Sequence, residues 1–199
     1  ILVFWKITSI LTYTLVLLLT RTMSEGVSKS SLNGLGQRWK KPMANREIIR
    51  HSQKINALFA KVDTACGNDL ELRSHWARYL CVLVSGFLEV AIGELYRDFV
   101  RKSASEPVAN YASKHLGSIQ NPNGNKFVDV ARAFKSEWGT DLLQHIEDNG
   151  IKDAIDSVMS NRHQIAHGKD TPSLTIARVK DWFDKAGKLI EYIEQQTSH

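Results

Sequence analysis

Residues 70–102, LELRSHWARYLCVLVSGFLEVAIGELYRDFVRK, form the longest apolar-patterned run in the chain. Leu72, Trp76, Tyr79, Leu80, Leu83, Phe87, Leu88, Ala91, Leu95, Tyr96 and Phe99 recur at helical spacing, and Asn68-Asp69 ahead of them offers an N-cap. Between Cys81 and Leu88 almost no polar face remains, which predicts a central helix covered on most sides. Ser85 and Glu89 interrupt it four residues apart and so share a face, where a carboxylate requires a partner.

Helical patterns flank this run on both sides. Ile48, Ile55, Leu58, Phe59 and Val62 give a stripe for a helix that starts near Ala44 and ends before Gly67. Ser105-Glu106-Pro107 opens a helix to Leu116-Gly117, with proline tolerated in the first turn. Asn121-Pro122-Asn123-Gly124-Asn125 reads as a loop. Two shorter helices follow, Lys126 to Lys135 and Glu137 to Asp148, the second closed by Asn149-Gly150. Ile151, Ile155, Val158 and Met159 mark the next helix. Thr171-Pro172-Ser173 is the expected start of the last one, whose stripe is Ile176, Val179, Trp182, Phe183, Ala186, Leu189, Ile190 and Ile193. No strand pattern and no internal repeat stands out, so the expected fold is all-α, an up-and-down bundle with short accessory helices.

The ends and the charge narrow the class. At 199 residues and 43% apolar composition, one domain with an appendage can bury a core. Residues 1–22 are strongly apolar and fit either translation from upstream of the natural start, with Met23 as the true beginning, or a membrane anchor through residues 1–20. A cleaved signal peptide fits less well, for want of a small-x-small site. Residues 23–43 read as a flexible basic linker and 44–197 as the helical domain. The formal net charge is +5, yet Arg38 to Lys54 holds six basic residues against one acid, and residues 55–199 are net −2. A groove wrapping a long nucleic acid by charge alone is thereby disfavoured. Local phosphate contacts from Arg38, Lys40 and Lys41, with Trp39 stacking on a base, compete with a solvated tail. Cys66 and Cys81 form no disulfide framework, which suggests a reducing, cytoplasmic setting, the alternative being the membrane-anchored form.

Chemistry concentrates in Asn161-Arg162-His163-Gln164-Ile165-Ala166-His167-Gly168. On a continuing helix His163 and His167 share a face, while Arg162 and His167 are offset by about 140°. Joint action of Arg162 and His167 on one phosphate therefore requires the helix to end near His167, or a second copy of the motif. The two histidines also imitate a zinc-protease helix, but Gln164 stands where the base would be and no third ligand is evident. A plainer reading is a helix end that caps its own carbonyls and suits the macrodipole.

Arg162 to His167, an Arg-x4-His pattern ending in Ala-His-Gly, resembles the signature of the HEPN superfamily (higher eukaryotes and prokaryotes nucleotide-binding). Together with Ala77-Arg78-Tyr79-Leu80, Ser85-Gly86-Phe87-Leu88-Glu89 and Ile176-Ala177-Arg178-Val179-Lys180, the chain is similar to the RiboL-PSP-HEPN branch over about residues 45–195. The resemblance implies an all-α HEPN-type domain that dimerises so that two motifs face one cleft, and a metal-independent endoribonuclease of toxin or antiviral-defence type. It implies RNA as substrate, a homodimer, a cognate antitoxin protein as possible partner, and neither cofactor nor metal. The alternative it leaves is a catalytically inactive HEPN module that binds nucleotide, RNA or protein. On the catalytic reading His167 is general acid/base and Arg162 the transition-state clamp. His163 assists, Glu89 orients Arg162 or a histidine unless it is a structural ion pair, and Asn161 contacts substrate.

Overall fold

A computed structural model describes residues 45–198, which contain seven helices and, among those residues, no strand. In chain order they are α1 (Arg46–Cys66), α2 (Leu70–Ser103), α3 (Glu106–Leu116), α4 (Gly124–Phe134), α5 (Ser136–Asp148), α6 (Ile151–Ala166) and α7 (Ile176–Thr197). The apolar segment 1–22, the linker 23–43, Trp39 and the basic residues Arg38, Lys40 and Lys41 lie outside the described residues.

Helix α2 is the axis, and α1, α3, α6 and α7 all pack on it. Its start is fixed by Asp69, whose Oδ1 accepts from the Leu72 N–H at 2.9 Å. Asn45 ties α1 to the far end of α2: its Oδ1 caps the Glu47 and Ile48 N–H groups, and its Nδ2 donates to Asp98 Oδ2 at 2.7 Å. Phe183 of α7 sits between Phe59 of α1 and Phe87 of α2, with ring centroids at 5.9 and 5.3 Å. Tyr96 stacks on Phe134 at 4.9 Å and Phe99 meets Trp138 at 5.2 Å, so the α4–α5 pair is fastened to the second half of α2. Of these rings Phe87, Tyr96 and Phe183 are fully buried, and a fully buried apolar side chain of this size stabilises the fold by about 1.5–3 kcal/mol. Cys66 and Cys81 are both buried, and burial pushes the Cys81 thiol up to about 12, so it stays protonated.

Two expected boundaries move, one through a tertiary contact and one through a local cap. Helix α4 begins at Gly124 because Asn123 caps the Lys126 N–H at 2.9 Å and Asp156 of α6 accepts the Gly124 N–H at 2.8 Å. A Cβ at Gly124 would lie 2.8 Å from Lys152 Cγ, so glycine is what lets α4 meet α6 here. Helix α7 starts at Ile176 and not at Thr171-Pro172-Ser173: Thr175 Oγ1 accepts from the Arg178 N–H at 3.2 Å, while Thr171 O and Leu174 N close a separate turn.

Helix α2 is covered on most sides, as expected, and is more open along one face. Leu72, Trp76, Tyr79, Leu83 and Gly86, spaced four, three, four and three, are only half-buried, and Leu70 is exposed. The helices that touch α2 cover its other sides more fully and leave this apolar stripe only partly covered. A Cβ at Gly86 would meet nothing within 4 Å.

Candidate functional site at the end of α6

Helix α6 is anchored by its buried stripe Ile151, Ala154, Ile155, Val158 and Met159. The Cys81 thiol reaches Val158 O at 3.7 Å and pins α6 to α2. The sulfur–carbonyl contact is weak, but with the buried stripe it sets the register of the two helices.

Beyond Val158 the helix runs one more turn to Arg162 and stops at His167. His167 (φ −95°, ψ 10°) is the C-cap, and Gly168 follows at φ +67° in the left-handed region. Lys169 N–H donates to Gln164 O at 3.0 Å and Gly168 N–H to Ile165 O at 3.1 Å, the paired bonds of a Schellman turn. The first of the two conditions for joint action of Arg162 and His167 is thereby met: the helix does end at His167.

The imidazoles of His163 and His167 lie 4.4 Å apart between centroids, tilted by 60°, and both residues are exposed. Arg162 is half-buried, and no described residue holds its guanidinium in a hydrogen bond or ion pair. A cation so placed keeps its whole donor fork for an anionic ligand. Asn161 spends one amide donor on Ser157 O at 2.9 Å, which leaves one N–H and the carbonyl.

Glu89 is not gathered into this group. Its carboxylate accepts the Asn121 N–H at 2.8 Å and fixes the loop between α3 and α4. Eight residues along α2 from Cys81, it stands about 12 Å from the α6 contact, on the side away from Arg162. Ser85, its companion on that face, donates to Val82 O at 2.8 Å within its own helix. The two histidines could offer a metal two nitrogens, and among the described residues no group of three or more His, Cys, Asp or Glu side chains is placed to hold one.

Arg78, which lies in the Ala77-Arg78-Tyr79-Leu80 segment of the resemblance but carries no assigned role there, joins the neighbourhood. Its Nη2 lies 3.8 Å from Oδ1 of Asp170, three residues past His167. Its further sequence signal is an arginine set among the apolar positions at the start of α2.

The RiboL-PSP-HEPN family model matches residues 44–199, more than half of the chain. Comparison with curated proteins and with solved structures gives no match.

Proposed function

This chain belongs to the RiboL-PSP-HEPN family, and from that premise we propose that it is a metal-independent endoribonuclease of the toxin or defence type. HEPN domains are a family of RNases in such systems. The observation that carries the reading is the end of α6: an exposed pair of imidazoles in ring contact, one and five residues past an arginine that no described residue engages.

In the proposed reaction the RNA 2′-oxygen attacks the adjacent phosphorus and loses its proton to a base. The bond from phosphorus to the 5′-oxygen breaks, and an acid returns a proton to that oxygen. The products are a 2′,3′-cyclic phosphate and a 5′-hydroxyl. His167 supplies proton transfer near neutral pH, a service of about 10²–10⁴-fold in rate. Arg162 holds two phosphoryl oxygens as negative charge builds on them. His163 supports His167 through ring contact, and Asn161 offers its remaining polar atoms to substrate.

A second copy of the chain completes the site by bringing its own motif. The half-buried stripe from Leu72 to Gly86 supports this arrangement, because its apolar side chains are only partly covered and the open space at Gly86 admits another backbone. RNA is the substrate and an antitoxin protein the natural restraint on a toxin of this kind.

Purified full-length protein is incubated with RNA in excess chelator beside the Arg162→Ala and His167→Ala variants. The wild type is expected to cut and leave cyclic phosphate ends, with each variant slower by about a hundredfold or more. Cutting that survives both substitutions, or that stops with chelator, overturns the proposal.

A further inference from the structure

We propose that Arg78 is a second phosphate-binding cation of this site, occupied in the free protein by Asp170 and surrendered by it to the RNA backbone. The inference rests on the ribonuclease reading for its substrate.

Two contacts fix where Arg78 stands. Cys81 meets Val158, and three residues earlier in α2 Arg78 meets Asp170, later in the chain than α6. Residue numbers therefore fall along α2 as they rise along α6 and its turn, and the two helices run antiparallel. Arg78 lies about 5 Å beyond the Cys81–Val158 contact and Arg162 about 6 Å beyond it in the same direction. Both arginines therefore lie at about one level along the helix pair, roughly 6 Å short of the last residue of α6.

The state of Arg78 suits an exchangeable ligand. At 3.8 Å its contact with Asp170 is a charge contact too long for a hydrogen bond, and no described residue accepts one from its side chain. Its Nε is buried and without a hydrogen-bond partner, and the hydroxyl of Thr171, next to Asp170, is in the same condition. Asp170 is almost fully exposed, with 97% of its side chain accessible, so its carboxylate leaves for water at little cost, whereas the Arg78 side chain is two-thirds covered and stays. A phosphate arriving between the α2 turn and the end of α6 offers oxygens that satisfy the fork in two bonds where Asp170 makes none. Exposed Lys169 extends the same rim.

A structural role for the pair, merely tethering the turn that carries His167, makes the opposite prediction for one variant. Removing the Asp170 charge would loosen that tether and impair the enzyme, but it would unmask Arg78 for RNA. The test uses full-length wild type, Arg78→Ala, Arg78→Lys and Asp170→Asn, with a cleavable RNA for KM and kcat and its fully 2′-O-methylated form for binding across a salt series. Arg78→Ala is expected to weaken binding and raise KM by about tenfold, and to lower the salt slope by about 0.7. Arg78→Lys should recover part of the loss. Asp170→Asn should lower KM by about threefold, with little change in kcat. An unchanged salt slope in Arg78→Ala, or a raised KM in Asp170→Asn, overturns the proposal. Because the methylated RNA cannot be cut, a protein without nuclease activity that still loses affinity in Arg78→Ala overturns the ribonuclease reading and leaves the Arg78 site standing.

Discussion

His163 and His167 touch ring to ring, 4.4 Å between centroids and 60° between planes, across one turn at the end of α6. The contact limits the rotamers open to the exposed His167 imidazole, and a restrained ring is worth more to proton transfer than a free one.

His163 is then expected to act through shape. His163→Phe, which keeps a ring, should retain kcat within about threefold, and His163→Ala should lose about tenfold. Single-turnover RNA cleavage over a pH series measures both. Equal losses in the Phe and Ala variants would instead assign His163 a proton-transfer step.

Gly168 closes the same turn at φ +67°, with nothing within 4 Å of the position a Cβ would take. Strain in the backbone is thus the only cost of a side chain there, about 1–2 kcal/mol for alanine. Gly168→Ala should lower Tm by roughly 2–8 °C in a domain of this size, and Gly168→Asn by less, since asparagine tolerates the left-handed region. Thermal melts decide it, and an Ala variant as stable as wild type refutes the role given to the turn.

Helix order was legible because burial leaves a periodic trace: Ile155, Val158 and Met159, or Phe183, Ala186, Leu189 and Ile190, appear in the core where their spacing puts them. The Asp69 cap was legible for the same reason, being local. Apart from the local Thr175 cap of α7, what escaped was decided between distant residues. The start of α4 depends on Asp156 receiving the Gly124 N–H, and the partner of Glu89 is a backbone amide, which has no sequence signal. The half-buried stripe on α2 reads like full core because apolar spacing alone does not say how completely a neighbour covers a face. Arg162, His163 and His167 could be named from the motif, but Arg78 meets Asp170 across 92 residues with no pattern joining them.

His145 gives a pH dependence of known sign. It stacks on Tyr192 at 4.0 Å and 12°, and burial lowers its pKa from 6.5, with Asp148 partly opposing. Because the unfolded chain binds this proton more readily, the contribution is fully present above pH 6.5 and is lost as pH falls through the folded-state value. Wild type should therefore lose more stability between about pH 7.5 and 5.5 than His145→Phe. Denaturant unfolding at the two pH values measures it, and equal losses would show that His145 carries no such linkage.

A site shared between two copies has a signature that a self-contained site lacks. Mixing the Arg162→Ala and His167→Ala proteins forms heterodimers in which one copy retains Arg162 and the other retains His167. If each cleavage centre draws its arginine from one chain and its histidine from the other, one of the two centres in such a heterodimer is wholly wild type. The other carries both lesions. Activity should return on mixing to about a quarter of wild type, since random exchange makes half the dimers mixed and each of those has one working centre of two. Centres built within a single chain stay broken in every combination, because each copy still lacks one partner. Substitution of Gly86 by tryptophan, which fills the space left for a second backbone on the α2 stripe, should abolish both the recovery and the dimer seen by sedimentation. Inactive homodimers that remain inactive after full subunit exchange would place Arg162 and His167 of one chain at the same phosphate, a geometry that the helix end at His167 also allows.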